Sequence, residues 1–251
     1  MGSPQADQAP GNKNTLAIDI GGSGLKASVL DEAGNMVVPR RRVPTPQPAV
    51  PEAVVPLLIG LAKGTAPGLE DTSPLPDFSR ISVGFPGVVR GGKVLTAPNL
   101  STEAWSGFEL AKALSDALGA PVRMLNDADM QGLAAVNGNG VEMVITLGTG
   151  FGTALYENGR LGPHLEIAHI PFRKGETYDQ HLGNAARKAV GNKKWNKRVE
   201  KAIANLRTLT LFDHLYIGGG NAKKLTLELP DDISVIDNSA GILGGIALWR
   251  D

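Results

Sequence analysis

Two aspartates stand where chemistry is most easily done. Asp127 follows Asn126 at the end of the apolar run Val122 to Leu125 and precedes a helical stretch, Ala128 to Val136. Polar residues at the carboxyl end of a strand in an α/β protein lie where ligands bind. A carboxylate there can accept the proton of an attacking hydroxyl, an effect of about 10²–10⁴-fold on rate, while Asn126 can hold a neighbouring hydroxyl. The same pair suits the start of a helix equally well, because Asn and Asp are favoured caps. Asp19 comes just before Gly21-Gly22-Ser23-Gly24, and a second glycine turn, Gly148-Thr149-Gly150-Phe151-Gly152, follows Val141 to Leu147. Successive backbone N–H groups in such turns form concave anion sites, to which Ser23 and Thr149 add hydroxyl donors. A carboxylate beside phosphate repels it unless a divalent cation lies between, so Asp19 reads as a Mg²⁺ partner, directly or through water. Either turn taken alone is equally a plain hairpin turn.

Other phosphate motifs fail on context. The pattern GxxxxGK[ST] is absent, since Lys26 is followed by Ala27 and lies two residues after Gly24. A dinucleotide fingerprint needs strand, GxGxxG and helix. Gly148-Thr149-Gly150 begins that way, but Thr153 to Tyr156 reads as a strand and Asn158-Gly159 as a type I′ hairpin turn.

These residues must be positioned by short elements. Thr15 to Ile20, Leu25 to Leu30 and Met36 to Val43 read as strands, as do Arg80 to Gly84, Val122 to Leu125, Val141 to Leu147 and His214 to Ile217. Helical spacing marks Val54 to Ala62, Phe108 to Leu118, Tyr178 to Ala189, Lys193 to Leu206 and a closing helix from Ser239 to Trp249. The proline-rich stretch between Gly64 and Asp77 is a surface loop. IDIGGSGLKASVLDEAGN resembles ITLGTGFGTALYENGR about half the chain later. An internal match at that spacing points to two related α/β subdomains, each opening on a hairpin around a glycine turn. The expected division is a disordered tail over 1–14, an N-terminal subdomain over 15–125 completed by helix 239–250, and a C-terminal subdomain over 126–238.

Composition sets the outer bounds. The chain has 251 residues, 42% hydrophobic and 20% charged, with Lys+Arg 25 against Asp+Glu 25. That is ordinary for a globular protein and lacks the basic excess of a nucleic-acid binder. The absence of cysteine removes disulfides and thiol catalysis. No stretch has the roughly 18 apolar residues of a membrane span, nor does the start have the layout of a secretory signal, so a cytoplasmic protein is expected. The 32 glycines, nearly double the usual share of about 7%, cluster in short turns.

DIGGSGLK (Asp19 to Lys26), LND (Leu125 to Asp127), LGTGFG (Leu147 to Gly152), LEIAH (Leu165 to His169) and IGGG (Ile217 to Gly220) together resemble the ROK sugar kinases, in that family's order. The resemblance runs from Thr15 to Trp249 and is most similar to the branch of glucokinases that use polyphosphate, ATP or both. It implies the duplicated actin-like ATPase (ribonuclease H-like) fold with a cleft between its subdomains. It also implies phosphorylation of the 6-hydroxyl of glucose or a related hexose such as mannose. On this resemblance Asp127 is the catalytic base, and Asn99, Asn126, Glu166 and His169 contact sugar. Gly21, Gly22, Ser23, Gly24, Lys26, Gly148, Thr149 and Gly150 hold phosphate, Asp19 serves Mg²⁺, and Gly218, Gly219 and Gly220 lie near the nucleoside. Many relatives carry a CxCGxxGCxE zinc motif; with no cysteine here, no structural zinc is expected, and Glu176 is the candidate for that motif's glutamate. Ala168 stands where many relatives have glycine. A homodimer is expected because relatives are often dimers. No nucleic-acid partner is expected, since the largely polar stretch before Thr15 is unlike the N-terminal helix-turn-helix of the repressor members, and no membrane partner, since no apolar span is present. The alternatives are a non-catalytic sugar sensor on the same scaffold, a kinase for fructose or an N-acetylated hexose, and an actin-like filament or chaperone ATPase.

Weaker signals remain. Lys188, Lys193, Lys194, Lys197, Arg198 and Lys201 crowd one predicted helix around Trp195, as either a polyanion track or a solvated face. Arg40-Arg41-Arg42 is expected to face water and is given no role. His164, His181 and His214 have no metal-ligand spacing. Gly241, Gly244 and Gly245 suggest close helix packing.

Overall fold

The computed structural model describes residues 13–236 and 240–249. Its first half runs β1 (Thr15–Gly21), β2 (Gly24–Leu30), β3 (Arg41–Val43), α1 (Pro51–Lys63), β4 (Arg80–Phe85), β5 (Val89–Arg90), β6 (Lys93–Val94), α2 (Thr102–Trp105), α3 (Leu110–Leu118) and β7 (Val122–Asn126). Helix α4 (Asp127–Ala135) leads to β8 (Val141–Leu147), β9 (Phe151–Glu157), β10 (Arg160–Leu161), β11 (Pro171–Arg173) and β12 (Glu176–Thr177). Then follow α5 (Tyr178–Leu182), α6 (Asn184–Val190), α7 (Asn192–Thr210), β13 (His214–Gly218), β14 (Ile233–Val235) and α8 (Ala240–Ala247).

The main strands form two five-stranded sheets, ordered β3-β2-β1-β4-β7 and β10-β9-β8-β13-β14. In the first, β1 is antiparallel to β2 and parallel to β4, which is parallel to β7. In the second, β8 is antiparallel to β9 and parallel to β13, which is parallel to β14. The order and sense repeat, so the internal match in sequence is a repeat of topology. Each sheet has its own apolar core, one holding Trp105 and the other Trp195, both fully buried. Each indole N–H is satisfied by a carbonyl, of Ala49 at 2.7 Å and Leu182 at 2.8 Å, as buried polar groups require.

Helix α8 packs against α4 and the first sheet. There is no room for a side chain at Gly244 beside the carbonyl of Met130, and Gly245 lies against Ser82 and Ala17. Ser82 donates to the carbonyl of Gly245 at 2.6 Å and accepts from the indole of Trp249 at 2.8 Å. These two glycines serve packing as expected; the surroundings of Gly241, with Ser239 and Arg250, lie outside the described residues.

Several expected boundaries move, each for a local reason. The third strand was expected from Met36 but begins at Arg41, with only an isolated bridge between Met36 and Leu30, because Pro39 has no N–H for a ladder. The helix expected over Tyr178 to Ala189 is broken at Gly183. A side chain there would press on the carbonyls of Thr149 and Asp179, at 2.8 and 3.0 Å. Of the expected tail, residues 1–12 lie outside the described residues, whereas Lys13 pairs with Glu32 and the Asn14 amide donates to the Asp77 carbonyl. Asn158 and Gly159 both have positive φ, 50° and 77°, the type I′ signature between β9 and β10. Among the described residues no helix is long and apolar enough to cross a membrane.

Candidate active site

The site begins where β7 gives way to α4. The Asn126 side-chain oxygen accepts the Ala128 N–H at 2.8 Å, capping α4, and its amide donates to the Gly87 carbonyl at 3.1 Å. The cap is thus Asn126. Asp127, whose Oδ1 also accepts the Ala128 N–H at 2.9 Å, is partly buried and lines a cavity of about 1030 Å³. The same cavity is lined by both glycine turns. Burial, and next the charge of Asp19, push the Asp127 carboxyl up to about 7, against the lowering pull of the Ala128 N–H; Asp129 adds to the rise. A carboxyl in this range can take up a proton near neutral pH.

The first turn closes the β1–β2 hairpin. Thr45 donates to the Gly21 carbonyl at 2.5 Å, and Asn99 approaches Gly22 so that a side chain there would lie 3.5 Å from its carbonyl. Asp19 and Lys26 face each other across the hairpin, Nζ to Oδ2 2.6 Å. The second turn is held from three directions. The Phe151 N–H donates to Asp179 at 2.7 Å, the Asn184 N–H reaches the carbonyls of Gly148 and Thr149 at 3.1 Å, and the Asn221 amide donates to the Gly148 carbonyl at 2.9 Å. The break at Gly183 brings Asn184 there. The N–H groups of Gly22, Ser23, Thr149 and Gly150 have no partner among the described residues. Four unpaired amides at the edge of one cavity form an anion cradle.

The same cavity is lined by an acid–imidazole chain. His164 Nδ1 is 2.8 Å from Asp129 Oδ2, and its Nε2 is 3.1 Å from Glu166 Oε1. Glu166 Oε2 is 3.4 Å from His169 Nε2, on a half-exposed ring. Hydrogen bonds to Asp129 and then Glu166 hold His164 protonated, its pKa up to about 10, and the His164 bond holds the Glu166 carboxyl below its usual range. Asp129 is buried, and its Oδ1 has no hydrogen-bond partner among the described residues.

The cavity brings together Asp19, Gly21, Gly22, Ser23, Gly24, Lys26, Asn99, Asn126, Asp127, Gly148, Thr149, Gly150, Glu166, His169, Gly219 and Gly220. Two expected residues do not line it. Glu176 lies on β12, paired with His181 at 2.9 Å, because a single antiparallel pair turns it toward α5. Gly218 is the buried last residue of β13, packed against Gln131 and Ile236. The lysines of α6 and α7 stay outside as well: Lys193, Lys194 and Lys197 border a separate hollow of about 400 Å³, and Arg198 donates to the His181 carbonyl at 3.2 Å. Sequence reasoning missed His164, Asp129 and Asn221, and misread the middle of the arginine run. Arg41 is buried, while Arg40 and Arg42 line the cavity. The alternation exposed–buried–exposed along a strand was the available signal.

A match to the profile described as the ROK family covers residues 15–189. The chain belongs to the ROK family. This ROK protein is 30% identical over 260 residues to the polyphosphate glucokinase of Mycobacterium tuberculosis (strain CDC 1551 / Oshkosh), covering 96% of the chain and 94% of that protein. Its fold superposes on the inorganic polyphosphate/ATP-glucomannokinase of Arthrobacter sp. strain KM with a TM-score of 0.82 at 31% identity, covering 95% and 100% of the two chains. A ROK family glucokinase from Streptomyces griseus, solved with glucose and AMPPNP, gives 0.72 at 20% identity over 94% and 98%. The ROK protein therefore has the duplicated actin-like ATPase fold, with two α/β halves and a cleft.

Proposed function

We propose that the protein is a hexose kinase of the glucokinase type, moving a phosphoryl group from polyphosphate or ATP to the 6-hydroxyl of glucose or mannose. One observation carries this reading: Asp127, perturbed toward neutrality, shares a cavity with two turns offering unpaired amides. The similarity to polyphosphate glucokinases and to a glucomannokinase supports the choice of donor and sugar.

Sugar lies against Asn99, Glu166 and His169, with the Asn126 carboxamide holding the Gly87 turn beside it. Asp127 takes the proton as the hydroxyl oxygen bonds to the terminal phosphorus. The bridging P–O bond then breaks, leaving a shortened chain or nucleoside diphosphate. The glycine-turn amides hold the phosphoryl oxygens, so catalysis rests on positioning and charge neutralisation.

Mg²⁺ fits the residues present. Asp19 keeps Oδ1 uncommitted while Lys26 takes Oδ2, and Mg²⁺ in such sites uses one or two carboxylates with donor phosphates and water. Among the described residues no three His, Asp or Glu side chains converge on a metal site. Bound at Asp19, the ion would neutralise donor charge.

The test is Asp127→Asn, with steady-state turnover and direct glucose binding measured together. Turnover falls about 10²–10⁴-fold and glucose still binds; unchanged turnover would remove Asp127 from the mechanism. A matrix of ATP and polyphosphate against glucose, mannose, fructose and N-acetylated hexoses fixes donor and sugar.

A further inference from the structure

Charges on the first sheet form a row leading out of the cleft. Asp19 on β1, Lys26 on β2 and Arg42 on β3 are cross-strand neighbours in register. Same-face neighbours across a sheet lie close enough for their side chains to interact. Lys26 is neutralised by Asp19. Arg42 is not neutralised: its guanidinium donates to the Ser23 carbonyl at 3.2 Å and has no carboxylate partner among the described residues. It also lies over Gly24, where a side chain would come within 2.7 Å of its Nε. Arg42 is thus held against the first glycine turn. Arg40 sits two residues away on the same side, exposed and with no ion pair among the described residues.

Arg41 explains why this edge holds its shape. It points the other way, is buried, and donates to the Leu61 carbonyl at 3.2 Å, to Asp71 at 2.9 Å and to Ser73 at 3.2 Å. One arginine anchors the strand and two present charge to the cavity.

We propose that Arg40 and Arg42 form a subsite for the distal phosphates of a linear inorganic polyphosphate, an inference that rests on the kinase reading above. The glycine-turn amides hold the phosphoryl group being transferred. A polyphosphate continues beyond it with a negative charge on every unit, whereas ATP ends in an uncharged nucleoside. Uncompensated guanidinium groups beside the turn match the first donor and add little for the second. The rival surface, Lys193, Lys194 and Lys197 at the start of α7, borders a different hollow.

The test compares kcat/KM for long-chain polyphosphate and for ATP at saturating glucose, over a range of salt. In R40E/R42E the polyphosphate-to-ATP ratio falls at least about tenfold and the salt dependence of polyphosphate use flattens, because opposite charges attract less at high ionic strength. R40K/R42K keeps most of the ratio, and K193E/K197E changes it less than twofold. The proposal is overturned if R40E/R42E keeps the ratio, if both donors lose equally, or if only the lysine variant shifts it. A wild-type enzyme using ATP but not polyphosphate also overturns it. Absence of phosphoryl transfer to any hexose from either donor in the wild type would instead defeat the kinase reading itself.

Discussion

Scarce water and a nearby like charge each favour the protonated form of a carboxyl group, and Asp127 meets both conditions. The kcat/KM of the free enzyme should therefore fall about tenfold per pH unit below pH about 7, as the base becomes protonated. A plateau continuing to pH 5 would rule this out. The same shift bears on stability. The folded carboxyl titrates near 7 and the unfolded one near 3.8, so the folded state carries the extra proton between them and stability falls as pH rises through that window. Asp127→Asn should raise Tm at pH 8, measurable by differential scanning fluorimetry, even as turnover falls. His164 behaves oppositely on removal. Its folded pKa near 10 exceeds the usual 6.5, so its contribution is full below pH 6.5 and is lost as pH rises through 10. His164→Ala should lower stability by about 1–3 kcal/mol near pH 6, with the gap narrowing toward pH 10, and should raise the KM for sugar through Glu166. That Asp127, Asp19 and the glycine turns line one cavity was legible because each stands at a strand end or a turn. His164 was not, since its partner Asp129 lies on α4, far away in sequence, and nothing in HLEIAH signals a buried acid beyond it. Glu176 was misplaced for the converse reason: it was assigned through a motif this chain lacks.

At the scale of elements, the position of the second phosphate turn depends on a helix that stops. Gly183 ends α5 so that the Asn184 N–H can reach the carbonyls of Gly148 and Thr149. Gly183→Val should push that turn aside, raising the KM for both donors several-fold while sugar affinity, read by calorimetry, changes little. Equal losses in both would show general unfolding instead. Glu142 is a second such device. Fully buried on β8, it accepts the N–H groups of Asn137, Gly138 and Asn139 and the hydroxyl of Tyr216 at 2.9 Å. Glu142→Ala strands four donors and should destabilise the protein by about 3 kcal/mol in urea titration. Strand and helix types were readable from periodicity, but the break at Gly183 was not. Its cause is a tertiary contact, and the apolar spacing runs straight through it. The shortened β3 was readable in principle from Pro39.

At the scale of the molecule, two sheets with one plan place their hairpin turns on a common cavity, and this duplication was the feature most visible in the sequence. A ligand that bridges the halves stabilises both. Glucose at 100 times its Kd should add about 2.7 kcal/mol to unfolding, and sugar with a non-transferable donor should add more than either alone.

Helix α8 carries a consequence for biosynthesis. Ile246 packs with Ala17 and Leu30, and Gly245 accepts the hydroxyl of Ser82, 163 residues earlier in the chain, so the first sheet waits during synthesis for a helix made long after its strands. A premature stop before Ala240 would leave that nascent surface bare, a substrate for chaperones and proteases rather than a shorter working enzyme.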